Sequence, residues 1–437
     1  MKLYTSKTTL NEKPYDNLAG RIGYVMQRIQ WRAHVAAICC ITLTSTLAAG
    51  APAAVRETAA DLSNLAARYS SEARYAEAEQ HYRKALELWQ QKPGSEASVA
   101  LTLNNLGILL RREARYSEAE TVDLQALKLF EELYGPEHEK TAAALINVGE
   151  LYSNQGRFPE AETALRRSLA ILENKRGKND PDTAEAVSSL ADLYTKQGKN
   201  EAAQELLERA LAIVEKALGP RNPRVALYLN NLYAVYERQH KYKEAEKSVQ
   251  QAITIFEQTS GPNHPDLAAA LINLATVNFD CHRYKKAVEL NRRALKINED
   301  TFGPIHPVIA NNLNNLAAAS FHLHNYAEAE SLFQEALANW KGFNSPNQTL
   351  VGDTLCNLAI VYLAEGRDSD ALEYYQRAIN THEAALGPNS PRLIADLEAY
   401  SAVLRRVNDY AGAEKASVRA LGIQVRNSLH PGTTISN

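Results

Sequence analysis

The chain has 437 residues, more than one compact core can absorb, so it holds several domains or an array that lengthens without thickening. Hydrophobic residues make 45% of it and charged residues 23%, with 20 Gly and 16 Pro, a balance that leaves room for long helices and favours the array. The formal charge is −3, and because residues 1–50 are net basic the rest is more acidic still. An acidic body without a basic run excludes the electrostatic footprint of a nucleic-acid or anionic-lipid binder.

The amino terminus comes first in chain order. From Val35 to Ala51 it reads VAAICCITLTSTLAAGA, apolar and uncharged, preceded by Arg28 and Arg32 and followed by small residues. That order is the one a secretory signal uses. Cleavage after Gly50 or Ala53 would leave small residues at the −3 and −1 positions, and a start at Met26 would give the leader an ordinary length. Residues 1–53 are therefore expected to be a leader, acting as a signal peptide or as a membrane anchor through residues 33–51. The expected location is periplasmic or secreted, or tethered to the membrane, and cytoplasmic if the leader does not function. A buried first helix is the remaining alternative.

Residues 54–427 repeat. The glycines at 135, 177, 219, 261, 303 and 387 fall on a 42-residue lattice, with Ser345 at the one node that lacks Gly. Aliphatic residues keep the same register in nine copies, from Leu62 and Leu103 to Leu355 and Leu397, and a small-residue column runs from Ala78 through Ala245 to Ala413. Within a copy, Tyr242, Ala245, Val249, Ala252 and Phe256 step by three and four, which puts them on one helical stripe. Each copy thus contains two helices, and the recurrent GPxHP loop ends one and starts the next. The loop histidines His138, His264 and His306 read as turn or helix-capping groups.

The order Leu145, Val148, Gly149, Tyr152, Ala161 resembles the tetratricopeptide repeat. The 42-residue unit, with Asn314-Asn315-Leu316-Ala317 in a first helix and Tyr326 to Glu330 (YAEAE) opening a second, looks like the kinesin light chain subclass. The resemblance implies an all-α, right-handed superhelical solenoid of about nine helix-turn-helix repeats, whose first helices line a concave groove. It also places on that wall an Asn column: Asn64, Asn105, Asn147, Asn231, Asn273, Asn315 and Asn357, with Ser189 and Ala399 as exceptions.

An amide both donates and accepts, so a row of amides can hold the backbone of an extended peptide whatever its side chains. The same amides can instead satisfy one another across the helix interface, and the two roles are compatible. Register adds Arg111, Arg112, Lys196, Arg238, Asn230, Asn311, Asn314, Phe279 and Phe321 to the wall, and the four basic groups would suit an acidic ligand. The last copy, with Arg405, Arg406, Lys415, Arg419 and Arg426, reads as a polar cap, and residues 428–437 as a tail.

The expected function is a non-catalytic scaffold that binds peptides or partner proteins in the groove. A cytosolic signalling or cargo-type adaptor and a self-assembling structural protein are the alternatives. No nucleotide-binding loop or serine elbow is present, no cofactor or metal is expected, and the four cysteines (Cys39, Cys40, Cys281, Cys356) contain no C-x-x-C pair. Carboxylates such as Glu77, Glu118 and Glu160 read as solvated. Partners are expected to be proteins or peptides, with membrane contact only through the amino-terminal segment and with possible self-association.

Overall fold

A computed structural model describes residues 58–429, apart from 73 and 343–347. The leader lies outside the described residues, as does the expected tail from residue 430 on; Ser428 and Leu429, expected to begin that tail, instead continue the last helix. The described chain is helical throughout, with eighteen helices and no strand. It divides into two bodies, residues 58–324 and 325–429.

The first body contains α1 (Ala59–Ser71), α2 (Tyr75–Gln90), α3 (Glu96–Arg112), α4 (Tyr116–Tyr134), α5 (Glu139–Asn154), α6 (Phe158–Lys175) and α7 (Pro181–Lys196). It continues with α8 (Asn200–Leu218), α9 (Pro223–Arg238), α10 (Tyr242–Thr259), α11 (Pro265–Asp280), α12 (Tyr284–Phe302) and α13 (Pro307–His322). Neighbours in sequence are neighbours in space: α1 pairs with α2, α3 with α4, and so on to α11 with α12, and each second helix packs on the first helix of the next copy. The second body holds α14 (Tyr326–Lys341), α15 (Gln348–Ala364), α16 (Asp368–Leu386), α17 (Arg392–Arg406) and α18 (Tyr410–Leu429), with α15 on α16 and α17 on α18 as hairpins.

Each boundary has a local cause. Pro181, Pro223, Pro265 and Pro307 occupy first-turn positions whose N–H would be orphaned in any case, and Asp180, Asn222, His264 and His306 cap those helices from the residue before. His264 Nδ1 accepts from the Asp266 N–H at 3.2 Å and His306 Nδ1 from the Val308 N–H at 3.2 Å, so these loop histidines are helix caps. The turn between the two helices of a copy passes through a left-handed residue every 42 positions, at Ala114, Gly156, Gly198, His240, His282, His324, Gly366 and Asn408.

The alanine columns set how closely the helices approach. Ala78, Ala119, Ala161, Ala203, Ala245, Ala287, Ala329 and Ala371 are all fully buried. Ser168, the polar exception in the second column, is also buried and donates its hydroxyl to the Ala142 carbonyl at 2.8 Å. Between copies runs a ladder of charge. Arg115 reaches Glu79 at 2.6 Å, Arg157 reaches Glu120 at 2.8 Å, Arg283 reaches Glu246 at 2.9 Å, and in the second body Arg367 reaches Glu330 at 3.0 Å. Glu77, Glu118 and Glu160 pair with the arginine that opens their own helix, at 2.9, 2.7 and 3.0 Å. The carboxylates of the Tyr-x-Glu-Ala-Glu pattern thus register the copies instead of only facing water.

Candidate functional site

In the first body the first helices also touch one another, α1 with α3, α3 with α5, α5 with α7, α9 with α11 and α11 with α13, so they lie on the tighter side of the stack. In the first body the Asn column stands on this wall, exposed at Asn64 and half-buried at Asn105, Asn147, Asn231, Asn273 and Asn315; Asn357, in the second body, is half-buried as well.

Its members divide into two kinds. Asn147 Nδ2 donates to Asn104 Oδ1 of the preceding copy at 2.6 Å, and Asn231 Nδ2 donates to Ser188 Oγ at 3.1 Å. These two amides stitch neighbouring first helices. Asn105 and Asn273 in the first body, and Asn357 in the second, make no side-chain hydrogen bond to any described residue. The Asn315 and Asn230 carbonyls are shut off from solvent without a donor among the described residues. Asn314 stands beside Asn315, half-buried. An unmet buried carbonyl costs on the order of 1–3 kcal/mol.

The basic residues sit differently from the expectation of four groove cations. Arg111 is buried: it donates to Asp123 Oδ2 at 2.6 Å and to Asn147 Oδ1 at 3.0 Å, with Glu150 at 3.5 Å. The reason is local, because Asp123 occupies a core position and Gly107 leaves the space for it; a Cβ at Gly107 would lie 1.8 Å from Asp123 Oδ1. Burial pushes the Asp123 carboxyl up to about 6, with Arg111 pulling the other way. Lys196 is held by Asp192 at 2.8 Å and Asn154 at 2.9 Å, and Arg112 donates to the Ser70 carbonyl at 3.3 Å. Arg238 is exposed beside Glu237.

Acidic groups were not anticipated on this wall, yet several stand on its helices beside the basic ones. Glu150, Glu185, Asp192, Glu237 and Asp280 lie on α5, α7, α9 and α11. Burial and then the nearby Asp280 charge raise Glu237 to about 7, with Arg238 opposing both. Glu185 and Glu150 are likewise raised, first by burial, with Arg224 and Arg111 respectively opposing. Glu150 and Asp192 share one register position in two successive copies, whereas Glu185, Glu237 and Asp280 each stand at a different one, so no column running through the copies announces them.

Phe279 packs edge-on to Tyr284 at 5.3 Å and to His322 at 5.1 Å, and Tyr284 stacks on His322 at 4.7 Å. This aromatic group closes the α11–α13 end of the wall. Phe321 meets His322 at 5.5 Å, and Asn311 is half-buried one turn before Asn315. Among the described residues no helix is long and apolar enough to cross a membrane.

A comparison with curated protein sequences returned no match. Solved structures similar to the chain include a Podosopora anserina protein named for kinesin light chain, with nearly identical TPR-like repeats: 25% identical, 48% of this chain and 100% of that one, TM-score 0.41. A Pyrococcus horikoshii signal transduction ATPase with a tetratricopeptide repeat sensor is 17% identical over 80% of this chain and 54% of that one, TM-score 0.55. Aspartyl phosphate phosphatase F of Bacillus subtilis is 12% identical over 86% of this chain and 96% of that one, TM-score 0.51. The tetratricopeptide repeat model matches residues 57–128, 98–174, 182–258, 229–300 and 308–384, more than half of the chain. With helix pairs packed in 42-residue register and this family model running through both bodies, the chain belongs to the tetratricopeptide repeat family, whose repeats serve as protein–protein interaction scaffolds.

Proposed function

We propose that the wall built by α3 to α13 holds an extended, basic segment of a partner protein, without catalysing a reaction on it. The observation that carries this reading is the pairing of unmet amides with an acidic wall. Asn105, Asn273 and Asn315 have groups left to offer a peptide backbone, while Glu185 and Glu237, neither ion-paired to a described residue, favour lysine or arginine side chains. The acidic ligand suggested by four basic groups is disfavoured, because Arg111 and Lys196 already have carboxylate partners.

The test is fluorescence polarisation with an unstructured Lys/Arg-rich peptide and its Glu-rich counterpart. Preference for the basic peptide is expected, with affinity weakened about tenfold or more in an Asn273→Ala/Asn315→Ala variant of unchanged helicity. Equal binding of both peptides, or indifference to both substitutions, overturns the reading. We place this activity in an exported or membrane-tethered setting on the strength of the Val35–Ala51 segment and its flanking Arg28 and Arg32. Intact mass of the chain after expression in a bacterial host reports cleavage after Gly50 or Ala53, and a full-length chain in the soluble fraction would favour the cytosolic adaptor.

A second reading, self-association, has its own observation. α18 does not present the polar cap expected of the last copy: Val418, Leu421, Val425 and Leu429 are 62%, 59%, 47% and 70% exposed. Leu421 continues the column of Ile253, Leu337 and Ile379, which are buried. Val418 and Val425 stand where earlier copies have Gln376 and Gln334, or Glu383 and Lys341. Arg405, Arg406 and Arg426 are exposed as a cap requires, but Arg419 and Arg426 are tied back to the chain before them: Arg419 reaches Glu383 at 2.6 Å and Arg426 reaches Asn389 at 3.1 Å.

A further inference from the structure

We propose that Cys356, His382 and Asp396 form a binding site for a zinc-class divalent cation in the second body. Each comes from a different helix, α15, α16 and α17, and all three are buried. One donor atom from each lies within 4.8 Å of the other two. The absence of a C-x-x-C pair does not bear on such a site, because three successive helices supply its ligands.

The contacts within the cluster are those of a metal site loaded with protons. Asp396 lies between the other two groups: the Cys356 thiol donates to Oδ1 at 3.4 Å, and His382 Nδ1 lies 2.6 Å from Oδ2. A single dication can replace both bridging protons. On binding, the thiol proton and the Nδ1 proton leave to solvent, and the dication's two charges make up for them, so the net charge of the buried cluster is unchanged. Ligand atoms around zinc sit about 2.0–2.3 Å from the ion, so Nδ1 and Oδ2 must separate by about 1 Å as it enters.

The other face of the imidazole is already arranged for this role. His382 Nε2 lies 3.0 Å from the Thr349 carbonyl and 3.2 Å from Asp353 Oδ1, which places a proton on Nε2 and turns Nδ1 toward Cys356 and Asp396. Asp353 is itself held by Arg392. The Tyr375 hydroxyl is buried without a hydrogen-bond partner among the described residues, close enough to Cys356 and Asp396 to feel their charge.

The repeat register gives a second, independent observation. The position of His382 is apolar in most other copies, as at Phe130, Leu172, Val214, Phe256 and Trp340. Facing it is a column that is alanine in the first seven copies, at Ala59, Ala100, Ala142, Ala184, Ala226, Ala268 and Ala310, and becomes Gly352 in the copy that meets His382. A Cβ at Gly352 would lie 2.3 Å from His382 Nε2. The fold has given up a core methyl group where an imidazole enters. Thiolate, imidazole and carboxylate together select zinc-class ions over magnesium or calcium, and three protein ligands leave a fourth position open.

Cobalt(II) titration of the chelator-dialysed full chain tests the site, using Cys39→Ser/Cys40→Ser/Cys281→Ser so that Cys356 is the one remaining thiol. The expected result is saturation at one ion per chain, with a near-ultraviolet thiolate-to-cobalt band, visible ligand-field bands and a raised melting temperature, all displaced by zinc. Returning Cys281 and changing Cys356→Ser should abolish the charge-transfer band. A folded chain with Cys356 intact that shows no charge-transfer band, or no melting shift with zinc, overturns the proposal.

Discussion

At Ala114 the chain turns from α3 to α4 with φ of 58°, in the left-handed region that the equivalent residues Gly156, Gly198 and Gly366 occupy without a Cβ. An L-residue there is strained by about 1 kcal/mol or more, and Ala has no side-chain polar group to offset it. Ala114→Gly should raise stability by up to about 1 kcal/mol, less what the freer unfolded chain takes back, and chemical denaturation of the two chains measures it. A variant less stable than the wild type would show that the turn carries no strain. The periodic positions 114, 156, 198, 240, 282, 324, 366 and 408 were present in the sequence all along. The residue types at them (Ala, Gly, His, Asn) are too mixed to signal a common backbone state.

Helices matter here for what they set beside one another. Glu237 at the end of α9 is raised to about 7, first by its burial and then by the Asp280 charge that α11 brings near it. A carboxyl whose folded-state value exceeds its unfolded one binds its proton more tightly when folded. The stability it contributes is therefore full below the unfolded value near 4.5 and is lost as pH rises to about 7. Glu237→Gln should accordingly be more stable than the wild type at pH 8, by on the order of 1–2 kcal/mol after solvent screening, with the gap closing toward pH 4. Equal urea midpoints at both pH values would refute the assigned environment. A bound lysine or arginine should relieve the same crowding, so affinity for the basic peptide should rise between pH 6 and pH 8. Spacing along α9 could show that Glu237 faces the wall; only the packing of α11 against α9 gives it an acidic neighbour.

For the molecule as a whole, the two ends of the array differ. α1 exposes no large hydrophobic residue and carries the Arg68–Glu72 ion pair, whereas α18 exposes an apolar stripe. Head-to-tail growth would need α1 to match that stripe, and it does not. A two-fold pairing of α18 with its copy fits better: with the axis between 421 and 422, Val418 faces Val425 and Leu421 faces Gly422, which has open space around it. A contact this small suits a weak, closed dimer. Sedimentation velocity from low to high micromolar concentration should show monomer converting to dimer, and Leu421→Lys/Val425→Lys should remain monomeric. A wild-type chain that stays monomeric throughout would leave the stripe to a foreign partner. The sequence by itself determined the repeat length, the helix pairs, the alanine contacts and the family, because each is a column written nine times and local in the chain. Tertiary structure alone decided which amides of the Asn column are already used, that Arg111 is buried on Asp123, and that Cys356, His382 and Asp396 meet. Those features depend on single departures from the repeat, and a side chain that breaks a periodic pattern takes its meaning from the neighbours that packing gives it.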